Sequence, residues 1–274
     1  IEEAYDPKTK QHILNKTFPL ESDLKKELLN FQRILEKYNV NVLKPVNMFS
    51  CNQIFVRDVG FVIDNTFFIS NMIEKRSREI LGFDLILKQI NTNHICKLPP
   101  HILAEGGDVV VAENHLFIGY SESSDFSTYE VARTNKEAIS FFSHFFPSKK
   151  VIPFELQKSD NNPYKNCLHL DCCFQPLGLG HALVFPGGFK NKQDVSLIES
   201  VFGKKNLIII NKDEMYNMFS NLFSISSNVI VTDKKFDRVN TLLAQKGYII
   251  EATSFSEVSK MGGLFRCSTL PLER

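Results

Sequence analysis

Phe61-Val62-Ile63, Asp64-Asn65-Thr66 and Phe67-Phe68-Ile69 form an apolar run, a polar turn and a second apolar run, the pattern of a β-hairpin. Ahead of them stands Phe55-Val56-Arg57-Asp58, another apolar stretch that ends in two charges. After them a charged segment from about Glu74 to Ile90 carries a helical period, and the polar loop Asn91-Thr92-Asn93 leads into a short strand near His94-Ile95-Cys96. The order hairpin, helix, buried strand is the unit from which the rest of the chain is built.

A second unit has Val109-Val110-Val111 turning at Glu113-Asn114 into Leu116-Phe117-Ile118. Its helix is expected to open on Thr134-Asn135-Lys136-Glu137 as a capping box and to stop before Pro147. A third runs from His169 through Ala182-Leu183-Val184-Phe185, a helix from about Val195 to Phe202 ended by Gly203, and Leu207-Ile208-Ile209-Ile210. A fourth has Asn221-Leu222-Phe223, Asn228-Val229-Ile230-Val231, a helix from about Lys234 to Lys246 ended by Gly247, and Tyr248-Ile249-Ile250. The chain then ends on a lone strand from Phe265 to Leu270. Its missing helix is at the other end, where Leu24, Leu28, Phe31, Leu35 and Tyr38 mark one helical face before Val40-Asn41-Val42-Leu43. Five units closing in a ring predict a single propeller-like α/β domain over residues 1–274, with an irregular α/β sandwich as the alternative. Ser121 to Thr128 and Lys158 to Lys165 are expected to be surface loops.

Composition narrows the function. With 32 Lys+Arg against 31 Asp+Glu, the chain lacks the basic excess of a protein that neutralises several phosphates, so nucleic acid is not the expected partner. No apolar run approaches the roughly 20 residues of a membrane-spanning helix, so no membrane partner is expected either. Six cysteines without framework spacing suit a reducing compartment, and the amino terminus, Ile1-Glu2-Glu3-Ala4-Tyr5, has neither a basic nor an apolar leader region. A cytoplasmic location is the expectation. Nothing in the sequence signals an oligomeric state.

Four segments carry polar groups that packing does not explain: Phe55-Val56-Arg57-Asp58, Glu105-Gly106-Gly107-Asp108, His169-Leu170-Asp171, and Gly262-Gly263-Leu264-Phe265-Arg266-Cys267. Each lies at the start of a hairpin or strand in a different unit. Equivalent positions in a ring of units point at its axis, so Asp58, Glu105, His169, Asp171 and Cys267 are expected to meet in one pocket. A thiol, an imidazole and three carboxylates make a nucleophile, an acid/base and an acidic cradle suited to a cation. A guanidinium fits best, because its planar N–H groups match carboxylates bidentately and its charge favours thiolate.

On these motifs the chain resembles the guanidino-group modifying superfamily of arginine deiminases, dimethylarginine dimethylaminohydrolases and amidinotransferases. The carriers are Asn52-Gln53-Ile54-Phe55-Val56-Arg57-Asp58, Glu105-Gly106-Gly107-Asp108, His169-Leu170-Asp171 and Gly262-Gly263 through Arg266-Cys267-Ser268-Thr269, in family order. The resemblance implies a five-bladed ββαβ propeller and a small-molecule guanidino substrate, with no metal or organic cofactor. It implies that Cys267 attacks the guanidino carbon to give a thiouronium-like intermediate. His169 would serve as acid and base, and Glu105 would orient it. Asp58 and Asp171 would hold the guanidinium, and Arg76 and Arg133 resemble arginines that bind the substrate carboxylate. The implied activity is hydrolysis to a ureido product, with amidino transfer to an amine or a non-catalytic binding module as alternatives.

Without that resemblance each residue has a plainer reading. Cys267 would be an inert core thiol, Asp58 a partner of Arg57, Asp108 a support for its glycine turn, Arg76 part of a solvated face, and His169 a satisfied histidine. Cys172 and Cys173 are expected to pack rather than to bind metal.

Overall fold

Every hairpin in the computed structural model, which describes residues 4–273, is extended on one side by a parallel strand. Ile1 to Glu3, part of the reading of the amino terminus, lie outside the described residues, as does Arg274. Two helices come first, α1 (Pro7–Leu14) and α2 (Glu21–Lys37). Asp6 starts α1 by accepting from the backbone N–H groups of Lys8 and Thr9, while Pro7 sits where no N–H is required.

The first sheet contains β1 (Gly60–Ile63) and β2 (Thr66–Ile69), then α3 (Asp84–Leu87) and β3 (Ile95–Lys97). The second has β4 (Val109–Ala112) and β5 (His115–Tyr120), then α4 (Ser123–Thr128), α5 (Lys136–Phe145) and β6 (Lys150–Glu155). The third has β7 (Phe174–Pro176), β8 (Ala182–Val184), α6 (Asp194–Phe202) and β9 (Leu207–Ile209). After α7 (Lys212–Tyr216), the fourth has β10 (Phe223–Ser224), β11 (Val229–Asp233), α8 (Asp237–Gln245) and β12 (Ile249–Thr253), and α9 (Ser256–Ser259) follows. In each sheet the first two strands are antiparallel and the third runs parallel to the second, as a helical crossover allows. Phe61↔Phe68, Val110↔Phe117, Gln175↔Leu183 and Phe223↔Val231 are among the antiparallel partners of the four units.

The core is phenylalanine-rich, and the chain has no tryptophan. Phe31 of α2 meets the rings of Phe223, Phe255 and Phe265 edge-on at 5.9, 5.5 and 5.0 Å, which ties this amino-terminal helix to the carboxy-terminal segment. Phe68 fills a second cluster between the first two sheets, with Phe61, Phe142, Phe145 and Phe146 around it.

Four expectations change. Among the described residues neither Val40–Leu43 nor the segment 265–270 pairs as a strand, so four sheets form where five were expected. The second segment winds into turns through Ser268 N–H to Leu264 O and Thr269 N–H to Arg266 O. The segment from Glu74 is a 3-10 helix to Phe83 before the short α3, because Arg76 grips Glu79 three residues on, where 3-10 winding stacks side chains directly. The capping box at α5 does not form. Thr134 Oγ1 accepts instead from Glu105 N–H, and Asn135 Oδ1 from Leu103 N–H, so both side chains hold the segment leading into the second sheet. Part of the expected loop Ser121 to Thr128 is α4.

Phe68 is fully buried and Leu14 is 81% exposed, so their truncation should separate cleanly. Phe68→Ala is expected to lose about 3–5 kcal/mol, and Leu14→Ala less than about 0.5 kcal/mol. Urea midpoints of the two variants check this, and similar losses at both positions would contradict the placement of the core.

Candidate active site

The chain enters each sheet through a pair of residues that ends in a short polar side chain: Arg57-Asp58 before β1, Gly107-Asp108 before β4, Leu170-Asp171 before β7 and Ser220-Asn221 before β10. The first three pairs lie on short 3-10 turns, which aim their backbone groups at one another. Leu170 N–H donates to Asp108 Oδ1 at 2.9 Å, Ser220 Oγ to Asp171 O at 3.0 Å, and Arg57 N–H to Cys267 O at 3.0 Å. Two glycines permit this crowding. A Cβ on Gly106 would stand 2.1 Å from Arg57 O, and one on Gly107 2.6 Å from His169 Cγ.

His169 lies between two acids. Its Nε2 is 2.8 Å from Glu105 Oε2 and its Nδ1 3.6 Å from Asp58 Oδ1. Cys267 Sγ lies 3.8 and 4.0 Å from the two oxygens of Asp171 and receives Asn221 Nδ2–H at 3.1 Å. Of the five residues expected in one pocket, Asp58, His169 and Cys267 line a common cavity, Glu105 stands behind His169 and Asp171 beside Cys267, and all five are buried. A cavity of about 40 Å³ is lined by Asp58, Arg76, Arg133, His169 and Cys267, with Tyr5, Asp6 and Thr9 from the amino-terminal segment.

Each of three carboxylates has its own arginine. Arg76 donates to Asp58 Oδ2 at 2.7 Å and also holds Glu79 and Phe55 O. Arg133 reaches Glu105 Oε1 at 3.4 Å and Tyr5 O at 3.1 Å, and Arg266 reaches Asp171 Oδ2 at 3.1 Å. Arg76 is thus buried rather than on a solvated face, and Arg57 bonds Arg266 O and Thr269. Asp108 supports a distant backbone N–H, that of Leu170, rather than its own turn. Cys172 and Cys173 are buried thiols, and Cys173 bonds Leu170 O.

The pairing sets the charges. Burial alone would lower the imidazolium of His169, but Asp58, Glu105 and Asp108 outweigh it and hold the ring up at about 9. Glu105 is buried too, yet Arg133 and His169 bring it below the ordinary carboxylate range. Burial raises Asp171, and Arg266 offsets only part of that. Burial also pushes the Cys267 thiol well above its usual value, aided by Asp171 and Asp58, while Leu264 N–H and Asn221 act in the opposite direction. The resting site thus holds a protonated imidazole beside a neutral thiol. One ligand atom each from Asp58, Glu105 and His169 lies within 4.8 Å of the others, a spacing a metal could use. A ring that keeps its proton to about 9 opposes such binding at neutral pH.

Residues 21–274 match the family described as N,N dimethylarginine dimethylhydrolase, eukaryotic. The chain belongs to that family. Its relatives include the uncharacterized protein YkgA of Bacillus subtilis, 30% identical over 88% of this chain and 77% of that protein. An arginine deiminase of Listeria monocytogenes is 25% identical over 81% of this chain, which spans 61% of that enzyme's length. In fold, this chain is similar to the amino-terminal domain of ArgZ, a cyanobacterial arginine dihydrolase, with a TM-score of 0.77, 19% identity and 93% and 88% of the two chains covered. A dimethylarginine dimethylaminohydrolase adduct gives a TM-score of 0.74 at 19% identity, with 92% of each chain covered. Family membership makes this chain a C–N hydrolase of amidines.

Sequence reasoning missed Asn221, Glu79, Arg266 as a partner of Asp171, and the amino-terminal segment at the cavity. Asn221 was open to discovery, since Asn221-Leu222-Phe223 begins the fourth hairpin as Asp58, Asp108 and Asp171 introduce the others.

The folded value of His169 lies above the ordinary 6.5, so its contribution to stability is complete below about pH 6.5 and is lost as pH rises through about 9. Nitrogen NMR of the ring is expected to titrate near 9 in the intact protein. The midpoint should fall toward 6.5 in Asp58→Asn, and an ordinary value in the intact protein would contradict the double-acid clamp.

Proposed function

We propose that this chain is a single-domain hydrolase of the guanidino group of arginine or an N-substituted arginine, acting through a covalent Cys267 intermediate. The observation that carries the reading is the pair of carboxylate faces beside the sulfur. Asp58 Oδ1 is buried with no hydrogen-bond partner, and Asp171 Oδ1 meets only thiols, 3.8 Å from Cys172 Sγ and 4.0 Å from Cys267 Sγ. A planar cation entering there satisfies both oxygens and brings its central carbon to the sulfur.

The steps follow from the charges. The guanidinium offsets Asp58 and Asp171, which are what raises the thiol apart from burial, so Cys267 loses its proton to solvent as substrate binds. The thiolate adds to the guanidino carbon. His169 gives its proton to the departing nitrogen, which leaves as ammonia or an alkylamine, and a thiouronium cation remains. Neutral His169 then takes a proton from water as its oxygen adds to the same carbon. Collapse expels the Cys267 thiolate and releases the ureido product, whose extra proton passes to solvent. Glu105 holds His169 in place throughout, at 2.8 Å.

The cavity of about 40 Å³ is on the scale of one water molecule. Arginine itself needs more room, so Tyr5 and Asp6 must move aside for entry. We assign the substrate carboxylate to Arg76 and Arg133, which then exchange part of their present contacts. We also assign α2 and the Cys267 segment to a fifth unit of a five-bladed propeller, supported by Cys267 meeting Asp171 and Asn221, the residues that introduce the third and fourth sheets.

Cys267→Ser is expected to lose at least about a thousandfold in turnover with the fold intact, and His169→Ala about 10²–10⁴-fold. Near-normal turnover in Cys267→Ser would overturn the covalent route. With arginine labelled at the guanidino carbon, labelled citrulline should form without added amine, and methylated arginines should release the matching amine. Label that appears in a new guanidino compound only when an amine is supplied would mean amidino transfer. Binding of a guanidino compound without any product would point to a non-catalytic module.

A further inference from the structure

Asn221 is fully buried, and each end of its side-chain amide has a partner of its own. Its Oδ1 accepts from Leu264 N–H at 3.2 Å and from Cys267 N–H at 3.0 Å. Two backbone donors on one oxygen fix which end of the amide is which, so the NH₂ group has to face the other way. That way lies Cys267 Sγ, 3.1 Å from Nδ2. The backbone adds to the hold, because Asn221 O accepts from Arg266 N–H. The preceding residue, Ser220, donates to the carbonyl of Asp171, so the dipeptide joins the Asp171 turn to the Cys267 segment.

We propose that Asn221 is a catalytic residue whose Nδ2–H stabilises the thiolate of Cys267. This rests on Cys267 being the nucleophile. A neutral thiol gains little from an N–H donor, whereas a thiolate gains a charge-assisted hydrogen bond in a site from which water is excluded. The amide is held before the charge appears, so no reorganisation is required when it does. The same N–H restrains the sulfur between the attack and collapse steps, when it alternates between bonded and anionic forms. The position also accounts for the residue type. Aspartate would keep the acceptor for Leu264 and Cys267 but would place a lone pair against the sulfur, and only the amide offers an acceptor and a donor on one short side chain.

The test is alkylation of Cys267 by iodoacetamide across pH, read at its own peptide by mass spectrometry in the full chain, with Cys267→Ser as the blank. Asn221→Ala and Asn221→Asp are compared with the intact protein, and circular dichroism reports folding. The midpoint of the alkylation profile is expected to rise by about one pH unit or more in both variants, a roughly tenfold loss of thiolate at fixed pH below it. The midpoint reports thiolate formation rather than access, so a wider path in Asn221→Ala does not imitate the result. If Asn221→Ala does not fold, Asn221→Ser, whose hydroxyl stops short of the sulfur, is measured in its place. A folded Ala or Ser variant with an unmoved midpoint overturns the proposal, and so does a rise confined to the charged Asp variant. Alkylation requires no turnover, so this outcome stands apart from whether any guanidino compound is hydrolysed.

Discussion

The site depends on how three buried carboxylates are neutralised. Leaving Asp58, Glu105 and Asp171 ionised in the interior without partners would cost several kcal/mol each. Arg76, Arg133 and Arg266 meet that cost one for one, and each arginine comes from a different segment of the chain. The pairing still leaves one oxygen of Asp58 without a hydrogen bond and one of Asp171 facing sulfur. The acids are thus stable enough to remain where they are and incomplete enough to accept a further cation.

The fold supplies the places for these groups. Each sheet is entered through a segment that carries a short polar side chain, and hydrogen bonds among these segments bring together four separate stretches of sequence, those of Asp58, Asp108, Asp171 and Asn221. Asp108 and Asn221 spend their side chains on backbone N–H groups of neighbouring segments, which locks the units together. Asp58 leaves part of its side chain toward the cavity, and Asp171 leaves one oxygen toward sulfur. Structural and chemical roles are therefore divided among three of these positions, while Asn221 holds backbone with one end of its amide and meets the Cys267 sulfur with the other.

Local pattern made much of this legible. Alternating apolar runs with polar turns mark the four hairpins, Gly203 and Gly247 mark helix ends at positive φ, and the four polar motifs point to Asp58, Glu105, His169, Asp171 and Cys267. What escaped was non-local. Arg133 meets Glu105 only because Thr134 and Asn135 abandon their helix to hold that segment, and no spacing rule reveals such a diversion. The fifth unit escapes local pattern for the converse reason. Val40-Asn41-Val42-Leu43 has the composition of a strand, but the segment 265–270 winds into the turns around Cys267 instead of pairing. Helix α1 was missed because Pro7–Leu14 carries no apolar stripe, and its start is fixed by the side chain of Asp6.

The unsatisfied oxygen of Asp58 has a bearing on how this protein can be unfolded in the laboratory. Guanidinium chloride, a common denaturant, delivers the cation that this acidic cradle is shaped to receive, whereas urea is neutral and planar without the charge. A ligand that binds only the native state stabilises it by RT ln(1 + [L]/Kd), so low concentrations of guanidinium would protect the fold before high concentrations dissolve it. Linear extrapolation from that salt would then misstate the stability of the empty protein. The same opposition makes the salt a fragment ligand, with its protecting range a direct reading of how strongly the empty cradle attracts a cation.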